Sequence, residues 1–285
     1  MGTHCNLYGG CQPEQGMNAH IFTHVRNTPP PMHQLALRWL NTTTVEHQDR
    51  WDAAVYNRPP GQGLLTVANH TSTLDDPMVI SSIVPLSFFA SEHRHHGMRW
   101  SLCAREICHT NVLFRYRWPF YISTNHKQYS CSQFFRSGKT LPIDRGAGLQ
   151  QPIMQTAGAL LRRGDWVHVF PEGRVHYTGR LGPLRWGVGK LLCDSVAGGH
   201  PPPIVLPWYH SGMGDIMPKG ARIPRVGHAV SVVVGEPLNL DDVICKCGDQ
   251  RHNQEAVWRE LTERIGKALR ALEQESPPNT SQVTH

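Results

Sequence analysis

The chain has 285 residues, 39% hydrophobic and 18% charged, with a net charge of +6 and a pI near 9.0. That is long enough for a substantial core, too apolar for a disordered protein, and basic enough to favour anionic partners. No run of 18 or more apolar residues is present, which excludes a simple membrane-spanning helix, and no basic stripe or motif points to nucleic acid.

Residues 1–34 are rich in Gly, Pro, His and Asn and read as a disordered leader, with neither a secretory nor a clear transit signature. A single domain is expected over 35–275, followed by a polar tail at 276–285. Its first element is a short helix, HQLALRWL, then a polar segment that ends at the breaker NRPPGQG. LLTVAN (64–69) is a compact apolar strand, and HTSTLDD after it has the hydroxyl and acidic residues of a helix N-terminus. PMVISSIVPLSFFA (77–90) is apolar but interrupted by Pro85. It suits either a core helix or contact with a membrane interface, as does the aromatic and basic RYRWPFY at 115–121.

KTLPIDRG (139–146) reads as a second strand leaving through a glycine turn. Residues 151–163 carry Ile153, Met154, Ala157, Leu160 and Leu161 at helical spacing, with Gly164 as the C-cap. WVHVF (166–170) is a third strand running into PEG, LRWGVGKLLCDSVA a helix, PIVLPWYH a fourth strand and AVSVVVGEPL a fifth. The last helix repeats Val257, Leu261, Ile265, Leu269 and Leu272. Alternation of this kind implies an α/β fold, a mixed, largely parallel central sheet flanked by helices.

Among 18 histidines, three are followed five residues later by aspartate: His47 with Asp52, His70 with Asp75, and His210 with Asp215. His70 stands at a strand-to-helix junction, where open α/β sheets gather ligands. Asp75, in the first helical turn, can take the proton on one ring nitrogen and leave the other basic. A helical segment would swing His47 away from Asp52. His210 also follows a strand, but two glycines in Ser-Gly-Met-Gly leave its geometry toward Asp215 undefined.

Lys139 and Arg145 lie in the GKTLPIDRG segment, and Arg is built for a bidentate grip on phosphate. In FPEGR, Glu172 is lifted to the sheet edge with Gly173 and Arg174 beside it. The cluster EHRHHG (92–97) reads as a solvated loop rather than a metal site, and Cys245 and Cys247 are too close for a zinc knuckle. The eight cysteines form no disulfide framework and are expected to be reduced thiols inside the cell.

The ordered blocks NHTSTLDDP, GKTLPIDRG, FPEGR and IVLP resemble the four-block pattern of the glycerolipid acyltransferases. LLTVANH, GDWVHVFPEGRV, LRWGVGKL and PIVLPWYHSGM are similar, within that family, to tafazzin and its plant relatives, over residues 36–240. The resemblance implies that His70 and Asp75 are the catalytic pair and that Arg145, Glu172 and Gly173 handle the glycerol-phosphate part of the substrate, with Lys139 and Arg174 beside them. It implies acyl transfer between phospholipid and lysophospholipid, such as monolysocardiolipin, on an intracellular, mitochondrial membrane surface and without a cofactor. Acyl-CoA as donor, formation of N-acylphosphatidylethanolamine and a non-catalytic lipid-binding module are the alternatives. Two departures from the family pattern are the polar leader, where relatives carry an apolar segment, and an atypical insertion at 115–131 between NVLF and SQFF.

Overall fold

The computed structural model describes residues 41–85, 88, 97–108, 138–221 and 223–277. The expected leader, the HQLALRWL helix, the 115–131 insertion, RYRWPFY and His93, His95 and His96 lie outside these residues, as does the tail beyond residue 277.

Seven strands form one sheet: β1 (Thr42–Glu46), β2 (Leu64–Ala68), β3 (Trp100–Ala104), β4 (Thr140–Ile143), β5 (Trp166–Val169), β6 (Ile204–Ser211) and β7 (Ala229–Val234). Their spatial order is β1-β7-β6-β2-β5-β3-β4. Every neighbouring pair is parallel except β6 with β7, so the sheet is mixed and largely parallel as expected. The helices are α1 (Gln48–Val55), α2 (Asp75–Ile83), α3 (Arg105–Cys108), α4 (Pro152–Arg162), α5 (Gly187–Val196), α6 (Met213–Ile216), α7 (Asp241–Ile244) and α8 (Gln254–Glu275).

β2 is central, and all five of its residues are buried. Its alternating side chains therefore serve two apolar layers. Leu64 and Ala68 join Trp51, Trp166, Trp208 and the α2 residues Met78, Val79, Ile80 and Ile83 on one face. Leu65 and Val67 join Met154, Leu161, Leu191, Leu192, Leu261 and Ile265 from α4, α5 and α8 on the other. Trp51 packs edge-on against both Trp166 and Trp208, at centroid distances of 5.6 and 6.2 Å. The apolar run from Met78 to Val84 is thus core rather than an interfacial surface.

Two further expectations change. β1, β3 and α1 occupy segments that sequence reading left without strands or read as polar coil. The described cysteines are also largely paired: Cys103 with Cys108, and Cys193 with Cys247. The α7–α8 connection folds back over α5 and brings Cys193 and Cys247, 54 residues apart, to a Cα separation of 5.1 Å. Cys245 is free and exposed.

The register of the central strands builds the site. Val67 is level with Val169 on β5, and Ala68 with Trp208 on β6. Continued past the end of β2, the same offsets set residue 70 level with 172 on one side and 210 on the other.

Candidate active site

That extrapolated register is occupied by hydrogen bonds. Asn69 extends the sheet with its side chain: its Nδ2 donates to the His210 carbonyl and its Oδ1 accepts from the His210 N–H, each at 2.9 Å. On the other side, the His70 N–H donates to Glu172 Oε1 at 2.7 Å. The backbone at His70 is therefore held from both neighbouring strands.

From there the chain turns into α2 and wraps around a carboxylate. Asp75 Oδ2 accepts the backbone N–H groups of Thr71 (2.7 Å) and Ser72 (2.8 Å) and faces His70 Nδ1 at 3.0 Å. A carboxylate can only accept, so Nδ1 carries the ring proton and Nε2 is left as the basic nitrogen. The Phe170 ring lies flat on the His70 imidazole, with centroids 4.1 Å apart and planes inclined by 10°. The side chain of His70 is 18% exposed while that of Asp75 is fully buried, and Nε2 is bonded to no protein atom among the described residues.

Burial alone would raise the Asp75 carboxyl, but the imidazoles of His210 and His70 outweigh it and hold it well below the usual carboxylate range. His210 is fully buried. Its Nε2–H donates to the Asn69 carbonyl at 3.1 Å, and the same nitrogen is 3.4 Å from Asp75 Oδ2. His210 thus joins Asp75 and not Asp215, which stands in α6. His47 is the left-handed N-cap of α1, and Asp52 accepts from Gln48 Nε2 at 2.9 Å, so this third pair does not form. The adjacent Asp76 is engaged elsewhere, gripped by Arg99 at 2.8 and 2.6 Å, with Ser101 Oγ at 3.0 Å.

Glu172 is buried, and its carboxylate spans two backbone donors: the His70 N–H on Oε1 and the Gly182 N–H on Oε2, the latter at 2.8 Å. Burial pushes this carboxyl up, against the two N–H groups that favour its charge. A carboxylate used in this way anchors the loop after β5, each of its oxygens taken by a backbone donor. Gly173 adopts φ 68°, and the turn closes through its N–H onto the Phe170 carbonyl at 3.0 Å. Arg174 is exposed and its Nε donates to His176 Nε2 at 3.2 Å.

The cations from the second block separate. Arg145 follows β4 at the end of the sheet that carries His70, and its exposed guanidinium is paired with Glu106. β5 and β3 stand between β2 and β4, a lateral distance of roughly 14 Å at normal strand spacing. Lys139 precedes β4, so it lies at the opposite end of the sheet, where its Nζ donates to the Met98 carbonyl at 3.0 Å and rests over the Trp100 ring. The structure does not bring Lys139 to His70. Sequence reading took the block as one unit, although a strand separates its two cations.

Sequence reasoning missed Phe170 and His210 as neighbours of the candidate pair. Both stand at the ends of strands that flank β2, Phe170 just past β5 and His210 next to last in β6, and aligning the ends of WVHVF and PIVLPWYH with LLTVAN would have found them. Among the described residues no group of three or more His, Cys, Asp or Glu side chains could hold a metal ion, and no helix is long and apolar enough to cross a membrane.

Residues 102–211 match the family model named Acyltransferase, a span that includes Glu172 and His210 but begins after His70 and Asp75. Tafazzin of Drosophila melanogaster is 32% identical over 244 residues, 85% of this chain and 58% of its own. N-acylphosphatidylethanolamine synthase of Arabidopsis thaliana is 36% identical over 236 residues, 78% of this chain and 74% of its own. The chain therefore spans less than two thirds of the fly tafazzin. The 1-acyl-sn-glycerophosphate acyltransferase of Thermotoga maritima, a solved structure, superposes with a TM-score of 0.48 at 16% identity over 88% of each chain.

Proposed function

Because the chain belongs to the acyltransferase family in its tafazzin-like branch, we propose that it moves a fatty acyl chain from a phospholipid to the free hydroxyl of a lysophospholipid, monolysocardiolipin being one such acceptor. The observation that carries this reading is the His70 ring, held through Nδ1 by a buried carboxylate with Nε2 unengaged. An alcohol is a poor nucleophile until its proton is removed as the new bond forms. His70 Nε2 takes that proton while the hydroxyl oxygen attacks the donor ester carbonyl. Asp75 stabilises the resulting imidazolium, and the proton returns to the departing glycerol oxygen as the old ester bond breaks. General-base assistance of this kind is worth about 10²–10⁴ in rate.

No cofactor is consumed in this scheme, since one ester is exchanged for another. Both substrates reside in a bilayer, so the enzyme works at a membrane surface, which we take to be mitochondrial on the strength of the tafazzin likeness. Arg145 would hold the lipid phosphate by exchanging its partner Glu106.

A second reading is N-acylation of phosphatidylethanolamine, favoured by the plant relative, whose alignment covers 74% of its own length. The same base would then deprotonate an amine. One experiment separates the possibilities: purified protein is given phosphatidylcholine with a labelled acyl chain, a lysophospholipid or phosphatidylethanolamine as acceptor, and acyl-CoA in parallel. Label in the diacyl product without CoA is expected. Label in the amide selects the second reading, dependence on acyl-CoA overturns the donor, and no transfer to any acceptor overturns the enzyme.

A further inference from the structure

The loops that close the His70 end of the sheet have an unusual composition. Segment 173–186 contains Arg174, Arg180 and Arg185, and segment 217–228 contains Lys219, Arg222 and Arg225; neither contains an Asp or Glu. The first follows β5 and the second joins β6 to the antiparallel β7, so both belong to the end of the sheet that carries His70.

The large hydrophobic side chains left exposed by the described residues are Tyr177, Trp186, Ile223 and Val226. Trp186 is covered by the Arg259 guanidinium, 3.8 Å from its ring centroid, on the flank of α8. The other three stand within the two basic loops, with Ile223 66% and Val226 59% exposed, whereas Trp186 closes the first loop where it enters α5. Neither loop is adrift. The His176 N–H donates to the His70 carbonyl at 2.7 Å, one residue before Tyr177, and the Arg225 N–H donates to the Ile216 carbonyl at 2.8 Å. Lys219 Nζ lies 5.9 Å from the Tyr177 ring centroid and joins the two loops. No ion pair among the described residues engages Arg180, Lys219 or Arg225.

We propose that these two loops form a docking surface for anionic lipid, with Ile223, Val226 and Tyr177 entering the headgroup region and Arg180, Lys219 and Arg225 pairing with lipid phosphates. Apolar side chains alone would also suit a protein partner. The five described cations of these segments, with no acid in either segment, select a negatively charged surface, and the link from the His176 N–H to the His70 carbonyl selects the surface that supplies the substrate. Basic side chains near an anionic leaflet bind it additively, and exposed apolar groups beside such cations hold a peripheral protein by partial insertion. The inference rests on reading His70 as the base that acts on lipid, because that is what makes a bilayer the partner.

The test is co-sedimentation of the full chain with phosphatidylcholine vesicles and with vesicles that also contain phosphatidylglycerol, alongside acyl transfer measured on vesicles and in detergent micelles. Wild type should prefer the anionic vesicles, and added salt should release it. The pair Lys219→Glu and Arg225→Glu should weaken anionic binding by at least about tenfold. The pair Ile223→Ser and Val226→Ser should weaken it without removing the salt dependence. Circular dichroism checks that both fold, and both should keep their transfer rate in micelles while losing it on vesicles. Equal binding of wild type to neutral and anionic vesicles, or wild-type binding by both folded variants, overturns the proposal. His70→Ala separates it from the proposed chemistry, since that variant should bind vesicles normally and transfer nothing. If wild type transfers no acyl chain but the charge-reversed pair still loses vesicle binding, the docking surface stands and the acyl-transfer reading falls.

Discussion

His210 Nε2 lies 3.4 Å from the same Asp75 oxygen that holds His70 Nδ1 at 3.0 Å. Two imidazoles from different strands thus converge on one buried carboxylate, one partly open to solvent and the other sealed. His210 is too deep to touch a substrate, so its effect on the reaction must pass through Asp75. Removing its N–H withdraws a group that lowers the Asp75 carboxyl, leaving a more basic carboxylate that strengthens its hold on the His70 proton. We expect His210→Ala to lower kcat with little change in KM and to move the acid limb of the pH–rate profile to higher pH. His210→Gln, which keeps an N–H donor, should restore the limb toward wild type. A uniform loss of activity with an unmoved limb in both variants would reduce His210 to a packing residue.

The wild-type pH dependence follows from the same carboxylate. Because the Asp75 carboxyl is held below the usual range in the folded state, its contribution to stability is fully present above the unfolded value near 3.9. That contribution is lost only as pH falls through the lower folded value. Between pH 5 and 8 Asp75 stays ionised, so the acid limb of kcat/KM should carry no ionisation of this carboxylate. A limb with slope two and a second midpoint at about pH 4 would mean that Asp75 titrates normally. Asp75→Asn keeps an oxygen for the Thr71 and Ser72 N–H groups but removes the charge. It should fold and lose about 10²–10⁴ in rate, as should His70→Ala.

Much of this arrangement was legible in the sequence for a physical reason. A buried strand with both faces covered needs a nearly continuous apolar run, and LLTVA, WVHV and AVSVVV supply one, each interrupted by a single polar residue, Thr66, His168 or Ser231. The HTSTLDD junction is equally local, because the loop that feeds α2 and the carboxylate it wraps lie within six residues. β1 and β3 escaped because they are only partly buried: TTTVE alternates exposed with half-buried positions at the sheet edge, and only Ser101 of WSLCA is fully covered. The partnership of His210 with Asp75 spans 135 residues and is set by strand order, which no local pattern encodes. The disulfide partners likewise meet only through tertiary folding.

Glu172 separates two roles by two readouts. As an anchor it satisfies the N–H groups of His70 and Gly182 together. Glutamine can accept from one of them and opposes the other with its own donors. An orphaned buried N–H costs about 1–3 kcal/mol, which outweighs the relief from removing a carboxylate that burial already disfavours. Glu172→Gln should therefore melt several degrees lower and lose kcat, because the backbone that carries His70 is released. A substrate contact would leave the melting temperature unchanged and raise KM instead.

Arg145 offers the complementary case. Its ion pair with Glu106 is exposed on both sides, and surface pairs of this kind contribute little to stability, about 0–1 kcal/mol. If the pair were only structural, Arg145→Ala would leave melting and kinetics nearly unchanged. If Arg145 exchanges Glu106 for a lipid phosphate, a charge-assisted contact is lost from the bound substrate before and during the reaction alike. KM for the lysophospholipid should then rise by about tenfold or more while kcat holds. Glu106→Gln is the sharper variant, because it removes the competitor and keeps the guanidinium: KM should fall below wild type. An unchanged or higher KM in Glu106→Gln, measured beside Arg145→Ala on the same micellar substrate, would remove Arg145 from substrate binding and leave the phosphate to another cation.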